Sequence, residues 1–143
     1  MQTCVEFRSD RFPAYDGEEN QINPGRWGKR LAEFLRDTLR LEGFETGEPF
    51  AEDWGWVVPV ANEHFRLSID CGRYEEYPDG YACFIEPHTP VVRRFLRKVD
   101  TRACVTSLQQ AMDKILAEAD GIREKRWWTY EEFNMPRGTR SGD

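Results

Sequence analysis

Apolar and polar residues alternate at the start of the chain. Val5 and Phe7 are set against Cys4 and Glu6, which predicts a short strand over residues 2–8. The alternation stops over residues 9–21, where Pro13, Gly17 and the acids Asp16, Glu18 and Glu19 read as a solvated loop. Those acids lack the glycine-punctuated spacing of a calcium loop. A helical period then takes over. Trp27, Leu31, Phe34, Leu35 and Leu39 share one face, Asn23 is placed to cap, Pro24 suits a first turn, and Gly43 follows the last turn. The other face is rich in Arg and Lys and reads as solvated.

Residues 44–53 read as a connector punctuated by Gly47 and Pro49. In the next run, Trp54, Trp56, Val58 and Val60 point one way, and Gly55, Val57, Pro59 and Ala61 the other. Pro59 has no N–H for a ladder, so this strand is expected to lie at an edge there, to bulge or to end. Phe65, Leu67, Ile69 and Cys71 alternate with Arg66, Ser68 and Asp70, which predicts a strand with one wet face. A loop over 72–80 turns at Pro78-Asp79-Gly80, and Tyr81, Cys83 and Ile85 then alternate with Ala82, Phe84 and Glu86 up to Pro87. Val91, Val92, Phe95 and Leu96 against Arg93, Arg94, Arg97 and Lys98 predict a short helical piece. Asp100 or Thr101 then caps a second long helix through Leu108, Met112 and Ile115. It ends near Gly121 or continues toward Tyr130. Trp127, Trp128, Tyr130 and Phe133 form an aromatic tail expected to dock on the body, since large aromatics are costly to leave in water.

These elements predict an α+β two-layer sandwich. An antiparallel sheet of about four strands, in the order β-α-β-β-β-α, would carry two long helices on one face. Residues 1–135 would form one domain and 136–143 a disordered tail. The other sheet face would carry Arg66, Ser68 and Asp70, partly covered by the aromatic tail.

At 39% hydrophobic and 32% charged, the chain of 143 residues is globular in composition and long enough for a real core. A net charge of -6 argues against nucleic acid as a partner, because phosphate binding relies on surplus Lys and Arg. No apolar run is long enough for a membrane span, so no membrane is expected. The four cysteines form no CxxC pair and sit in apolar runs. They read as buried free thiols of a cytoplasmic protein, with a Cys71–Cys83 disulfide as the alternative if the hairpin register opposes them. His64 and His88 fit no zinc spacing, and no phosphate loop, dinucleotide fingerprint or nucleophile elbow is present. No metal, cofactor or catalytic residue is therefore expected.

The runs Ile22–Leu31, with Asn-Pro-Gly-Arg-Trp-Gly-Lys, and Glu52–Trp56, with Glu-Asp-Trp-Gly-Trp, resemble those of small uncharacterised bacterial proteins. That resemblance implies a bacterial cytosolic protein and carries no site residues with it. The residues themselves point to binding. The loop at 73–79 mixes Arg73, Tyr74 and Tyr77 with acids, a composition suited to protein contacts. The leading expectation is a non-enzymatic interaction protein, of accessory or immunity-like type, with a protein partner or a second copy of itself. It would act through a sheet face or edge and this loop, using Asp53, Trp54, Trp56, Arg66, Asp70, Arg73, Tyr74 and Tyr77. The alternative is a small-molecule-binding or hydrolase-like protein with a site near Asp53, Trp54, Trp56 and Arg66.

Overall fold

A computed structural model describes residues 1–74 and 76–136, so most of the expected disordered tail lies outside the described residues. Eight strands and three α-helices follow in the order β1 (Gln2–Arg8), α1 (Lys29–Leu41), β2 (Phe50–Glu52), β3 (Gly55–Val60), β4 (Leu67–Arg73), β5 (Gly80–Glu86), β6 (Val91–Arg94), β7 (Arg97–Asp100), α2 (Arg102–Glu118), β8 (Arg123–Thr129) and α3 (Tyr130–Phe133). Six strands form one sheet in the order β2-β3-β4-β5-β1-β8, every neighbouring pair antiparallel, and β6 with β7 form a separate hairpin. The class is α+β, as expected, but the sheet is larger than the four strands anticipated.

The register sorts the strand residues into two faces. Val5, Phe7, Trp56, Val58, Ile69, Cys71, Cys83 and Ile85 join the buried residues of α1 (Leu31, Leu35, Leu39) and α2 (Leu108, Met112, Leu116) in one hydrophobic core. The intervening positions point to the second face. There α3 lies across the sheet, with Phe133 edge-on to Phe84 at 4.9 Å between ring centres. Thr129 and Glu132 close a reciprocal capping box at the start of this short helix. The aromatic tail thus docks, as its composition required. Trp128 is buried with its Nε1 donating to Glu6 at 2.8 Å, and Trp127 Nε1 donates to Asp113 at 2.8 Å.

Several local expectations are corrected. The segment 91–98, expected as helix, is a hairpin. Val92 and Val99, a directly opposed pair, pack on the core, and Phe95-Leu96 form the turn. Residues 123–129, which the helical reading allowed to continue α2, form an edge strand on β1, and 50–52 within the expected connector pair with β3. Helix α1 begins at Lys29, not at Pro24. Its preceding residue is Gly28, which has no side chain to cap with. The acceptor comes instead from the 3-10 turn Glu18–Asn20 of the loop expected to be solvated. Glu18 is buried, and its Oε2 accepts from Gly28 N at 2.8 Å, Lys29 N at 3.0 Å and Trp56 Nε1 at 3.0 Å, while Oε1 accepts from Tyr15 N at 3.0 Å. One carboxylate therefore ties the loop, the helix and β3 together.

Pro59 behaves as its chemistry demands. The β2 ladder reaches β3 only as far as Val57, and the Pro59 carbonyl accepts from Gly47 N on that outer side at 2.9 Å.

Candidate functional site

The second face has a row of directly opposed residues running across all six strands: Phe50, Val57, Asp70, Phe84, Cys4 and Trp128. Asp70 is the one charged residue in this otherwise apolar row. The carboxylates that act on it lie on neighbouring β5, where Glu86 is opposite Ser68, and on β2 two strands away, where Glu52 is opposite Gly55. Burial, then the charges of Glu86 and Glu52, push the Asp70 carboxyl up to about 6, and Arg66 offsets this only in part. Among the described residues none donates a hydrogen bond to the Asp70 side chain.

Asp70 sits at the centre of an open cleft. Two adjoining depressions of about 350 and 330 Å³ share Trp54, Asp70 and Glu86. One runs toward Tyr74, Tyr130 and Phe133, and the other toward Phe50 and Arg66. Helix α3 forms one wall, and Tyr130 is stacked on His88 at 3.7 Å, whose Nδ1 lies 3.1 Å from Glu86. Trp54 stands 43% exposed and Tyr130 37%, so both rings present area to a ligand. A carboxylate set with accessible aromatic faces is suited to a guanidinium or ammonium group, which gains from ion pairing and from the ring quadrupole together. Among the described residues no group of three His, Cys, Asp or Glu is arranged to hold a metal ion.

The structure divides the expected site residues. Trp54, Asp70, Arg73 and Tyr74 line one depression and Arg66 the other. Trp56 is on the opposite face, buried in the core and bonded to Glu18, so it shares no site with Trp54. Asp53 is exposed and lines neither depression; its backbone carbonyl accepts from Asn23 N at 2.8 Å. Tyr77 lines neither depression, packs edge-on to Tyr74 and lies under the Arg8 guanidinium at 4.4 Å. Arg73 has a structural task as well. Its Nη1 donates to Gly25 O at 3.0 Å, its Nε donates to Pro78 O at 3.1 Å, and it lies over the Trp27 ring. Glu86, Glu52, Phe84, Tyr130 and Phe133 were missed as site residues. The outward alternation of Phe84 and Glu86 was a signal for two of them, but their convergence on Asp70 needs the cross-strand register.

The same contacts account for the two motif runs. A Cβ on Gly55 (φ 156°) would lie 2.3 Å from the Cys71 carbonyl oxygen, and one on Gly28 2.9 Å from the same atom. Trp27 Nε1 donates to Tyr81 Oη, which donates to Phe12 O at 2.6 Å. The Asn-Pro-Gly-Arg-Trp-Gly run and the Trp-Gly-Trp run are thus a clasp that packs segment 23–28 against β3 and β4. Cys71 and Cys83 are directly opposed, their Sγ atoms 4.0 Å apart as free thiols, and burial pushes the Cys71 thiol well up.

No protein-family model, curated protein or solved structure matches the chain. No helix among the described residues is long and apolar enough to cross a membrane.

Proposed function

We propose that this chain is a non-enzymatic binding protein that holds a basic, apolar-flanked segment of a protein partner in the cleft around Asp70. The observation that carries this reading is the placement of Asp70. A carboxylate in an apolar cross-strand row, with two further carboxylates on its flanks, is unfavourable for the free protein and favourable once a cation arrives. The open, elongated form of the cleft suits a stretch of chain better than an enclosed small molecule. The alternative, a small-molecule-binding or hydrolase-like protein, keeps Trp54 and Arg66 on one depression with Asp70 but not Trp56, which is turned into the core.

Titration calorimetry with a short peptide carrying a phenylalanine between two arginines tests the reading. Binding to the wild type is expected, weakening with salt and tightening as pH rises through about 6, where Asp70 loses its proton. Asp70→Asn is expected to weaken it roughly tenfold. Equal affinity of the two proteins, or equal affinity for a peptide with glutamates in place of the arginines, would refute the reading.

A further inference from the structure

The β6–β7 hairpin is built against its own interest. Its turn residues Phe95 and Leu96 are 92% and 95% exposed. Phe95 takes φ 58° at the first position of a two-residue turn, where glycine is the favoured residue. Arg93 is directly opposite Lys98, and Arg94 opposite Arg97, so like charges face each other at both cross-strand pairs next to the turn. Among the described residues no acid pairs with these four cations. The root of the hairpin is nonetheless firm. Val92 and Val99 pack on the core, Arg94 donates to Glu63 O at 3.0 Å, and Thr101 N donates to Pro90 O at 2.9 Å. This arm thus presents an apolar tip with the cations Arg93, Arg97 and Lys98, while Arg94, beside the turn, is tied back to the body through Glu63. Local choices that conflict with local structure mark a surface kept for contact.

We infer that the tip of this arm is the segment the cleft receives, supplied by a second copy of the chain. This rests on the reading of the cleft given above and names its occupant. The two surfaces complement each other around Asp70: two apolar side chains with the cations Arg93, Arg97 and Lys98 on the arm, and aromatic rings with Asp70, Glu86 and Glu52 in the cleft, whose lining also includes Arg26, Arg66 and Arg73, the last bonded to Gly25 O and Pro78 O. They also lie along one edge of the molecule. Glu86 and Pro87 line the cleft, Pro87 and Arg66 also line a hollow of about 530 Å³ under the arm, and the chain enters the arm at Val91. Arm and cleft on the same edge allow two copies to exchange arms about a twofold axis, which closes the assembly as a dimer. A bilayer or nucleic acid fits less well, because the acids that give the chain its net charge of -6 would meet the same phosphates as the arm.

Sedimentation velocity over micromolar concentrations at low and high salt tests this. The wild type is expected to dimerise, more weakly in high salt. Phe95→Ser with Leu96→Ser, changes at fully exposed positions, should weaken the dimer by about tenfold or more. Arg93→Glu with Arg97→Glu and Lys98→Glu takes the arm from four positive charges to a net negative charge, and Glu52→Lys with Glu86→Lys makes the three-carboxylate set of the cleft net positive. Each multiple variant alone should be monomeric. Mixed, they should form a dimer, since one contact is then wild type on both sides and the other reversed on both. A wild-type monomer throughout, a dimer indifferent to Phe95 and Leu96, failure of the mixture to pair, or binding of the monomer to anionic vesicles or duplex DNA through the arm would overturn the inference. If the wild type is monomeric yet still binds the arginine–phenylalanine peptide, the cleft reading stands and only its occupant is wrong.

Discussion

Replacing Asp70 by Asn should make the protein more stable at neutral pH. Asn has nearly the same shape, and among the described residues no hydrogen bond to the carboxylate is lost. What changes is the charge. Burial, with Glu86 and Glu52, raises the Asp70 carboxyl from 3.8 to about 6 in the folded protein. Between about pH 4 and pH 6 the folded chain therefore holds this proton more tightly than the unfolded chain. Stability contributed by the protonated group is present below that window and is lost as pH rises through it. A shift of that size is worth about 3 kcal/mol at face value. Asp70 is only half-buried, and solvent screening reduces this to about 1–2 kcal/mol. Urea unfolding followed by circular dichroism at several pH values measures it. Asp70→Asn should exceed the wild type by about 1–2 kcal/mol at pH 8, with the gap closing toward pH 4. A destabilised variant at pH 8, or a gap independent of pH, would refute the claim that the cleft holds an unfavourable charge.

Other outcomes follow from the same contacts. Glu18→Gln leaves four N–H donors facing a neutral amide and should cost about 3 kcal/mol in the same urea experiment; a loss under about 1 kcal/mol would remove Glu18 as the clasp of α1. Gly55→Ala forces a Cβ onto the Cys71 carbonyl and should cost about 3 kcal/mol or abolish folding, whereas Gly43→Ala, with φ 94° and open space around it, should cost only about 1 kcal/mol. Thiol labelling of the native protein should modify Cys104, which is half-buried, on the order of 100-fold faster than the buried Cys4, Cys71 and Cys83. Equal rates would mean that the core opens more readily than its packing implies.

Legibility from sequence followed the strength of the local pattern. The first strand, β4, β5 and the second long helix were read with sound placement, because each alternates or repeats cleanly over seven residues or more. The hairpin at 91–100 was not. Val91, Val92, Phe95 and Leu96 also fit a helical stripe, and its turn contains no glycine, asparagine or proline to announce it. Strand β8 begins Arg-Glu-Lys-Arg, a charged edge without alternation, and β2 is three residues long. Glu18 was one acid among several in a polar loop. The available clue was Gly28 before Lys29, a helix start with no side chain to cap it, but Asn23 and Pro24 gave a plausible earlier start. For the cleft, alternation correctly put Asp70 on the wet face, but it set Trp54 on the same side as Trp56, whereas Trp54 precedes the strand and is exposed while Trp56 is buried in the core. The flanking Glu86 and Glu52, and the aromatic wall of α3, depend on sheet order, which residues far apart in sequence decide together.

The most direct test of the cleft as a binding site is a chemical-shift map of the isotope-labelled protein titrated with the arginine–phenylalanine peptide. Saturable shifts are expected at the Trp54 indole and at the amides of Asp70, Gly72, Phe84 and Tyr130, all reduced in Asp70→Asn. Shifts confined to the α1 surface or to the loop at 76–79, or none at peptide concentrations that saturate other acidic sites, would contradict it.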